Sequence, residues 1–372
     1  MAELDDRRAR MGLCALQPQG NPQLSELAQL HGAVEVWEAV LGRDAESPWG
    51  RRALAINLEQ LVSDTERCRA RFVVPGDEEW PESIDLLQGV RLAGQGGQPL
   101  GLWVRGSLSL TELGGAVAVV GARASTSYGN HVATEFGADL GLAGRVVVSG
   151  LAFGIDAAAH RGALSTRHPT VAVLANGVDA AYPVAHTSLM EGVVARGAVI
   201  SEAPPGCRPL KAAFLARNRL IAALTEGVVV VEAAARSGAR NTANWAGALG
   251  KHVMAVPGPV TSSLSVTPHR LIREGTATLV TSVADIKELL SPLQPELEIP
   301  LRGLDQPLDR LPAKLRALRE VVAPKEEVNV NDLMSRTGLS VPECLASVDE
   351  LVEMGWLEEA GESGWRLPTG KH

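Results

Sequence analysis

Val147-Val148-Ser149-Gly150-Leu151-Ala152-Phe153-Gly154-Ile155-Asp156-Ala157-Ala158-Ala159-His160 decides how this chain folds. An apolar strand over 146–148 runs straight into a turn of small residues, and the pattern predicts a helix from about Gly154. A junction of that design leaves backbone N–H groups without intrahelical partners. The positive end of the helix dipole then draws anions to them, phosphate above all. Two further strand-to-turn-to-helix junctions of the same design lie in the same region, at 119–126 and 232–242. Three such junctions on one sheet suit a polyanion better than a small molecule.

The surrounding pattern repeats the theme. Apolar runs recur at 116–120, 146–148, 170–174, 197–200, 227–231, 252–256 and 277–280, with helical patterns in most of the gaps. Continuous valine and alanine runs between helices predict a doubly wound, Rossmann-like α/β domain, its parallel sheet covered on both faces. Ligands of such sheets sit beyond the carboxyl ends of the strands, where all three junctions fall. The α/β domain is expected over 71–290, opening with a short strand at Phe72-Val73-Val74 and another within 99–106. Residues 1–70 read as a small helical domain, with helices over 23–41 and 52–69. Pro292, Pro295, Pro300, Pro307 and Pro312 mark a linker over 291–312. Residues 313–372 carry helical patterns at 315–321, 330–337 and 342–354. Two short strands, at 356–357 and 365–367, follow around Gly361, which together suggest a winged helix-turn-helix.

Composition narrows the function. Glycine is abundant at 38 residues and aromatics are few, as suits an α/β protein with tight turns. No apolar run approaches the roughly 20 residues of a membrane span, and the N-terminal charges have no apolar stretch behind them, so neither a membrane anchor nor a signal peptide is expected. Cys14, Cys68, Cys207 and Cys344 form no CxxC pair, so buried free thiols in a cytoplasmic protein are expected, without structural zinc. The formal net charge of −8 argues mildly against nucleic acid as a partner. Its distribution argues the other way. Arg208, Lys211, Arg217, Arg219, Arg236, Arg240 and Lys251 fall between Pro205 and Lys251, opposed only by Glu226 and Glu232. A basic middle between acidic flanks can hold a polyanion locally.

Each junction has a plainer reading beside the functional one. At 119–126, Gly121 lets the backbone bend, Ser125 or Thr126 can cap a helix or donate to phosphate, and Arg123 adds a fork of donors. The segment is neither GxGxxG nor a P-loop, and a tight turn with an N-cap would look the same. At 149–160, Ser149, Gly150 and Gly154 are positions where a phosphate can approach the backbone. Asp156 and His160, four apart, could be a metal or acid–base pair, or an early-turn aspartate and a packed histidine. No third ligand has metal spacing, so no metal is expected. Lys211 and Phe214 share a helical face, whereas Arg217 and Arg219 point apart. Phe214 among cations is either a stacking platform for single-stranded nucleic acid or a core side chain. At 232–242, Ser237, Gly238 and Thr242 offer donors at another helix start, and Glu232 is either a base or an anchor for loops.

Together these residues resemble the DNA-processing protein A family (DprA, also called Smf). The resemblance rests on Val120-Gly121-Ala122-Arg123, on 149–164, on Ala175-Asn176-Gly177-Val178-Asp179 with Tyr182-Pro183, and on Ser201-Glu202. It continues through Pro204-Pro205-Gly206, Phe214 with Arg217-Asn218-Arg219, Glu232, Ser237-Gly238-Ala239 with Thr242-Ala243, and Val256-Pro257-Gly258. It is strong over about 70–285. The N-terminal helices resemble the family's sterile-alpha-motif-like domain more weakly, and the C-terminal part resembles its winged-helix module. The resemblance implies a single-stranded DNA-binding recombination mediator. Such a protein protects incoming strands in natural transformation and loads the RecA recombinase. It works as a homodimer joined through the α/β domain, with single-strand-binding protein as a further partner and no cofactor. The family's DNA pocket, carried over, falls on Arg123, Lys211, Phe214, Arg217, Asn218 and the Gly150 and Ser237 turns. Ala122 stands where serine is commoner, and Arg240-Asn241 replaces an apolar pair, adding charge near the pocket.

Two rivals make different demands. Phosphoribohydrolases of similar fold carry PGGxGTxxE after a corresponding strand, but Trp245 stands where the catalytic glutamate would, so no enzyme is expected. A winged-helix transcription regulator needs cations against duplex phosphate. The presumed recognition helix carries Glu343, Asp349, Glu350 and Glu353, with no lysine or arginine.

Overall fold

The N-terminal charges sit on a helix. In α1 (Asp6–Leu16), Ala9, Leu13 and Leu16 recur at helical spacing and are buried. The single helix expected over 23–41 is instead two, α2 (Pro22–His31) and α3 (Ala33–Leu41). Gly32 adopts φ 82° between them, a conformation that ends a helix and that glycine takes at little cost. The helix expected over 52–69 likewise divides into α4 (Pro48–Leu54) and α5 (Leu58–Arg67). The Asn57 side chain accepts the Gln60 N–H and starts a new helix there. Leu13, Leu24, Val36 and Trp37 close these helices around one apolar cluster, which Leu100 joins from beyond them. The structure is a computed structural model that describes residues 4–16, 19–43, 47–290, 307–361 and 364–368. It has two compact units, Met1–Pro295 and Glu296–His372, so the N-terminal helices and the sheet share one unit. The expected linker over 291–312 lies mostly outside the described residues.

After α5 come β1 (Ala70–Val73), a two-stranded hairpin of β2 (Arg91–Leu92) and β3 (Gln95–Gly96), and β4 (Leu102–Gly106). Seven strands then alternate with helices: β5 (Val117–Val120), β6 (Val147–Ser149), β7 (Thr170–Val173), β8 (Ala198–Ser201), β9 (Gly227–Val230), β10 (His252–Ala255) and β11 (Thr278–Leu279). The intervening helices are α6 (Ser127–Leu142), α7 (Ile155–Ser165), α8 (Thr187–Arg196), α9 (Lys211–Ala223) and α10 (Gly238–Ala248), then α11 (Val266–Arg273) and α12 (Val283–Leu290).

The sheet runs β1-β4-β8-β7-β6-β5-β9-β10-β11. From β8 to β11 every neighbouring pair is parallel, and β4 adds an antiparallel strand beside β8. Alternate residues of β5, and of β9 with Val231 just after it, feed opposite apolar layers. Ala118, Val120, Val228 and Val230 join one, and Val117, Val119, Val229 and Val231 the other. This is the mostly parallel, two-faced sheet that the valine runs predict. Strand order departs from β5 in both directions, through β6 to β8 on one side and through β9 to β11 on the other. The switch point lies between β5 and β9, where the loops leaving the two strands part and open a crevice.

The C-terminal unit holds α13 (Ala313–Glu320), α14 (Val330–Thr337), α15 (Val341–Glu353) and a hairpin of β12 (Glu358–Ala360) and β13 (Gly364–Arg366). Its core is Leu315, Leu318, Leu333, Val348 and Leu351 with their neighbours. The exposed side of α15 carries Glu343, Asp349, Glu350 and Glu353. The cysteines are free, as expected, but only Cys344 is buried; Cys14, Cys68 and Cys207 are partly exposed. Among the described residues, no helix is long and apolar enough to cross a membrane.

Candidate nucleic-acid interface

The crevice at the switch point is a hollow of about 720 Å³. Its walls come from the β5–α6 loop (Gly121, Arg123), from α9 (Lys211, Phe214, Arg217, Asn218) and from the start of α10 (Ser237, Gly238, Thr242). Residues that the sequence spreads over more than a hundred positions meet there.

Phe214 is half-buried in the crevice wall, outside the apolar cores. The Arg123 guanidinium lies 5.0 Å above its ring centroid, and the Tyr182 ring stands 5.4 Å away at 49°. An exposed cation on one aromatic face fixes the ring and brings positive charge to it. Lys211, three residues before Phe214, opens onto the same crevice. Arg123, Lys211 and Arg236 are exposed and, among the described residues, form no ion pair. Side chains such as Arg71, Arg105 and Arg145, by contrast, are matched to carboxylates. Exposed cations clustered around a ring, with the lining carboxylate of Asp156 turned onto the Gly150 and Ala152 amides, suit phosphates flanking a base.

The backbone cradles work differently from the sequence reading. At the β5–α6 turn, Glu232 reaches across from the end of β9. It accepts the Thr126 N–H at 2.9 Å and the Thr126 hydroxyl at 2.6 Å, while that hydroxyl in turn accepts the Gly129 N–H. Glu232 is therefore the loop anchor of the two readings left open. Ser125 is not the cap; its hydroxyl donates to Asn130 Oδ1. At the β6–α7 turn, Asp156 accepts the Gly150 N–H at 3.1 Å and the Ala152 N–H at 3.4 Å. Two helix starts thus hold the protein's own carboxylates where a phosphate was expected. Gly150 serves a different approach: a Cβ there would stand 2.3 Å from the Arg217 guanidinium, so the missing side chain makes room for Arg217. Ser149 is fully buried, its hydroxyl donating to Val119 O rather than opening onto the crevice. Gly154, at φ 77°, lets the turn press against the backbone of Ala122 and Arg123. The third start, at α10, does face the crevice: Ser237 caps Ala239 N–H, and nothing stands within 4 Å of where a Gly238 Cβ would be.

On α9, Arg217 and Arg219 part company as the helical period demands. Arg217 lies in the crevice floor, buried and bonded to Val173 O, with its Nε unpartnered. Burial pulls its pKa down to about 10, opposed by the charge of Asp156, so it stays cationic at neutral pH. The same burial raises the Asp156 carboxyl above its ordinary range, with Arg217 pulling it back. Asn218 donates to Gly238 O and Asn241 Oδ1 and ties α9 to α10. Arg219, expected at the DNA, faces the other way, 1% exposed and paired bidentately with buried Glu202 at 2.5 and 2.6 Å. Its place is structural, because a guanidinium 1% exposed and bonded to Glu202, Gly97 O and Ala216 O is out of reach of solvent-borne phosphate. Arg240 is half-exposed and lies outside the crevice walls.

His160 is fully buried beside Thr170. The Thr170 hydroxyl spends its proton on Val147 O, so His160 Nδ1 donates to Thr170 and the ring is neutral. Burial drives its pKa down to about 3. This is the packed histidine of the two readings. Trp245, at the position of the rival's catalytic glutamate, is fully buried in the core. The sequence reading left out Tyr182 and Arg236 as site residues. Tyr182 had a signal, one of only two tyrosines, set beside Pro183 in a loop at the carboxyl edge of the sheet.

Comparisons with known proteins agree with this architecture. The family model for DNA recombination-mediator protein A matches residues 71–291. A Mycobacterium tuberculosis protein named for DNA processing protein DprA is 39% identical over 361 residues, covering 93% of this chain and 90% of its own length. Protein Smf of Escherichia coli is 36% identical over 263 residues, 69% of each chain. The X-ray structure of Streptococcus pneumoniae DprA superposes with a TM-score of 0.63 at 32% identity, over 77% of this chain and 98% of that one. A Helicobacter pylori DprA structure, whose description concerns a single-stranded DNA binding mode, superposes with a TM-score of 0.52 at 25% identity, over 59% and 95%. With a family model covering more than half its length and a relative matched almost end to end, the chain belongs to the DNA recombination-mediator protein A (DprA/Smf) family.

Proposed function

We propose that this protein binds single-stranded DNA in the switch-point crevice. It protects the strand during natural transformation and passes it to the RecA recombinase. The observation that carries the reading is Phe214, a half-buried ring flanked by Tyr182 and Arg123 among exposed, unmatched cations. An open aromatic face accepts an unpaired base of any sequence, and the cations neutralise the backbone beside it. A duplex keeps its bases stacked inside and offers none to the ring. Family membership, and the single-stranded DNA mode described for the Helicobacter pylori relative, support the same reading. The reading includes a homodimer joined through the α/β unit, a cytoplasmic setting, contact with single-strand-binding protein, and no catalytic step. The C-terminal unit serves protein contacts, since the acidic face of α15 repels phosphate.

Polarisation titration of the protein against labelled single-stranded and duplex DNA tests the reading. Single strands should bind more tightly, with little sequence preference and with affinity falling as salt rises. Arg123→Ala and Lys211→Ala should each weaken binding and flatten the salt slope by about one, with unchanged thermal melts. Equal affinity for the two DNA forms, or wild-type binding by both variants, would remove the crevice as the DNA site.

A further inference from the structure

A second hollow, of about 870 Å³, opens on the other flank of Arg123. Ser125, Asn130, Phe153 and Arg161 bound it with Arg123 itself. The crevice described above uses none of its aromatic surface.

Phe153 is the feature that needs an explanation. The chain has only four phenylalanines. Phe72 and Phe136 are buried, Phe214 lines the crevice, and Phe153 is 48% exposed, the most open of the four. The core gains little from a ring so placed. It is nevertheless held firmly. The His186 ring meets it edge-on at 4.7 Å, and His186 Nδ1 donates to Leu151 O at 2.9 Å. Next to it, Gly154 presses on the backbone of Ala122 and Arg123, and Ile155 N–H donates to Ala122 O. The ring is an open, fixed face, as a stacking platform requires.

The charges around it match. Arg161 is exposed and, among the described residues, joins no ion pair. Asp156, on the same helix, is turned inward onto the Gly150 and Ala152 amides. From α6 the hollow is faced by neutral Asn130 and Thr134. Arg123 lines both hollows, with its guanidinium over Phe214 in the first. One cation therefore stands between two aromatic faces.

We infer that this hollow is a second stacking subsite for the same DNA strand. A nucleotide beyond those at Phe214 lays its base on Phe153, while Arg123 and Arg161 meet the phosphates between. The inference rests on the single-strand reading of the first crevice. It fits an unpaired strand alone, because a duplex presents no base face to Phe153.

Binding of the full-length protein to oligothymidylates of increasing length tests it, beginning with one that covers only the first crevice. Phe153→Ala should bind short strands like the wild type and long strands about tenfold more weakly. Phe153→Leu, which keeps bulk without a ring, should behave as Phe153→Ala, and Phe153→Trp should restore binding. Arg161→Ala should lower the salt slope on long strands only. Phe214→Ala should weaken binding at every length. Thermal melts of the Phe153 variants should match the wild type, since the ring is half in solvent. If Phe153→Ala binds every length like the wild type while Phe214→Ala is weakened, the second subsite is wrong. If Phe214→Ala also binds like the wild type, the first crevice falls and the second subsite with it.

Discussion

Arg219→Ala separates the two faces of α9. The wild-type guanidinium donates to both Glu202 oxygens at 2.5 and 2.6 Å, to Gly97 O at 3.1 Å and to Ala216 O at 3.2 Å. Truncation leaves the Glu202 carboxylate, 7% exposed, as a buried charge without a counter-ion, and two carbonyls without their donor. Breaking a buried pair from one side costs about 3–5 kcal/mol. That is a large share of the roughly 5–15 kcal/mol that hold a typical domain together. Urea unfolding followed by circular dichroism should therefore show a strongly lowered midpoint. At a temperature where the variant is still folded, its affinity for single-stranded DNA should equal the wild type's. The double variant Arg219→Met with Glu202→Leu should recover most of the lost stability, because no unpaired charge remains. A stable Arg219→Ala protein that binds DNA as poorly as Lys211→Ala would refute the assignment and turn that guanidinium toward the strand.

Three further outcomes follow from the same geometry. Phe214→Ala should lose roughly 1–3 kcal/mol of DNA binding and keep its melting temperature, whereas a core phenylalanine would forfeit about 3–5 kcal/mol of stability instead. His160 stays neutral in the fold, with its pKa pushed down to about 3, but takes a proton near pH 6.5 when unfolded, so stability falls as pH drops through that window. Between pH 6.5 and 4.5 the wild type should lose about 2 kcal/mol more than His160→Gln, and identical pH profiles in denaturant titrations would contradict the buried neutral ring. Deleting 300–372 should leave most single-strand affinity in place, and a truncated chain that binds none would return DNA binding to the C-terminal unit.

The sheet was legible because its signal is local and repeated. Valine runs of four or five residues, bounded by glycine and small residues, admit few readings. Phe214 and Lys211 were legible because three-residue spacing on a helix fixes a shared face. The plugging of two helix starts was hidden. A glutamate at a strand end looks the same in sequence whether it takes a proton from a substrate or an N–H from Thr126, and 106 positions separate that pair. The helical period set Arg217 and Arg219 on different faces, but which of the two turns away from the crevice was hidden until Glu202 packed beneath Arg219. Tyr182 reaches Phe214 from another loop, which no periodicity within either segment reports. At Gly32 the helix break did have a signal, a histidine and glycine at the point where a C-cap belongs, overridden by the apolar stripe running past it.

The carboxylates seated at the β5–α6 and β6–α7 turns bear on timing as well as on affinity. Rigid amide nests grip a phosphate through several donors at once, and letting go means breaking them together. Here two of those nests are already filled by Glu232 and Asp156. On the proposed reading, the strand is left to the start of α10 and to long, solvent-facing side chains such as Lys211 and Arg236, each side chain able to release its phosphate independently. Detachment can then proceed one contact at a time, with a competitor taking each freed nucleotide before it rebinds. Under the proposed function, a holder built this way keeps a strand through many weak contacts and yields it quickly to a recipient, whereas one gripping phosphates in open amide nests would have to be pulled off whole.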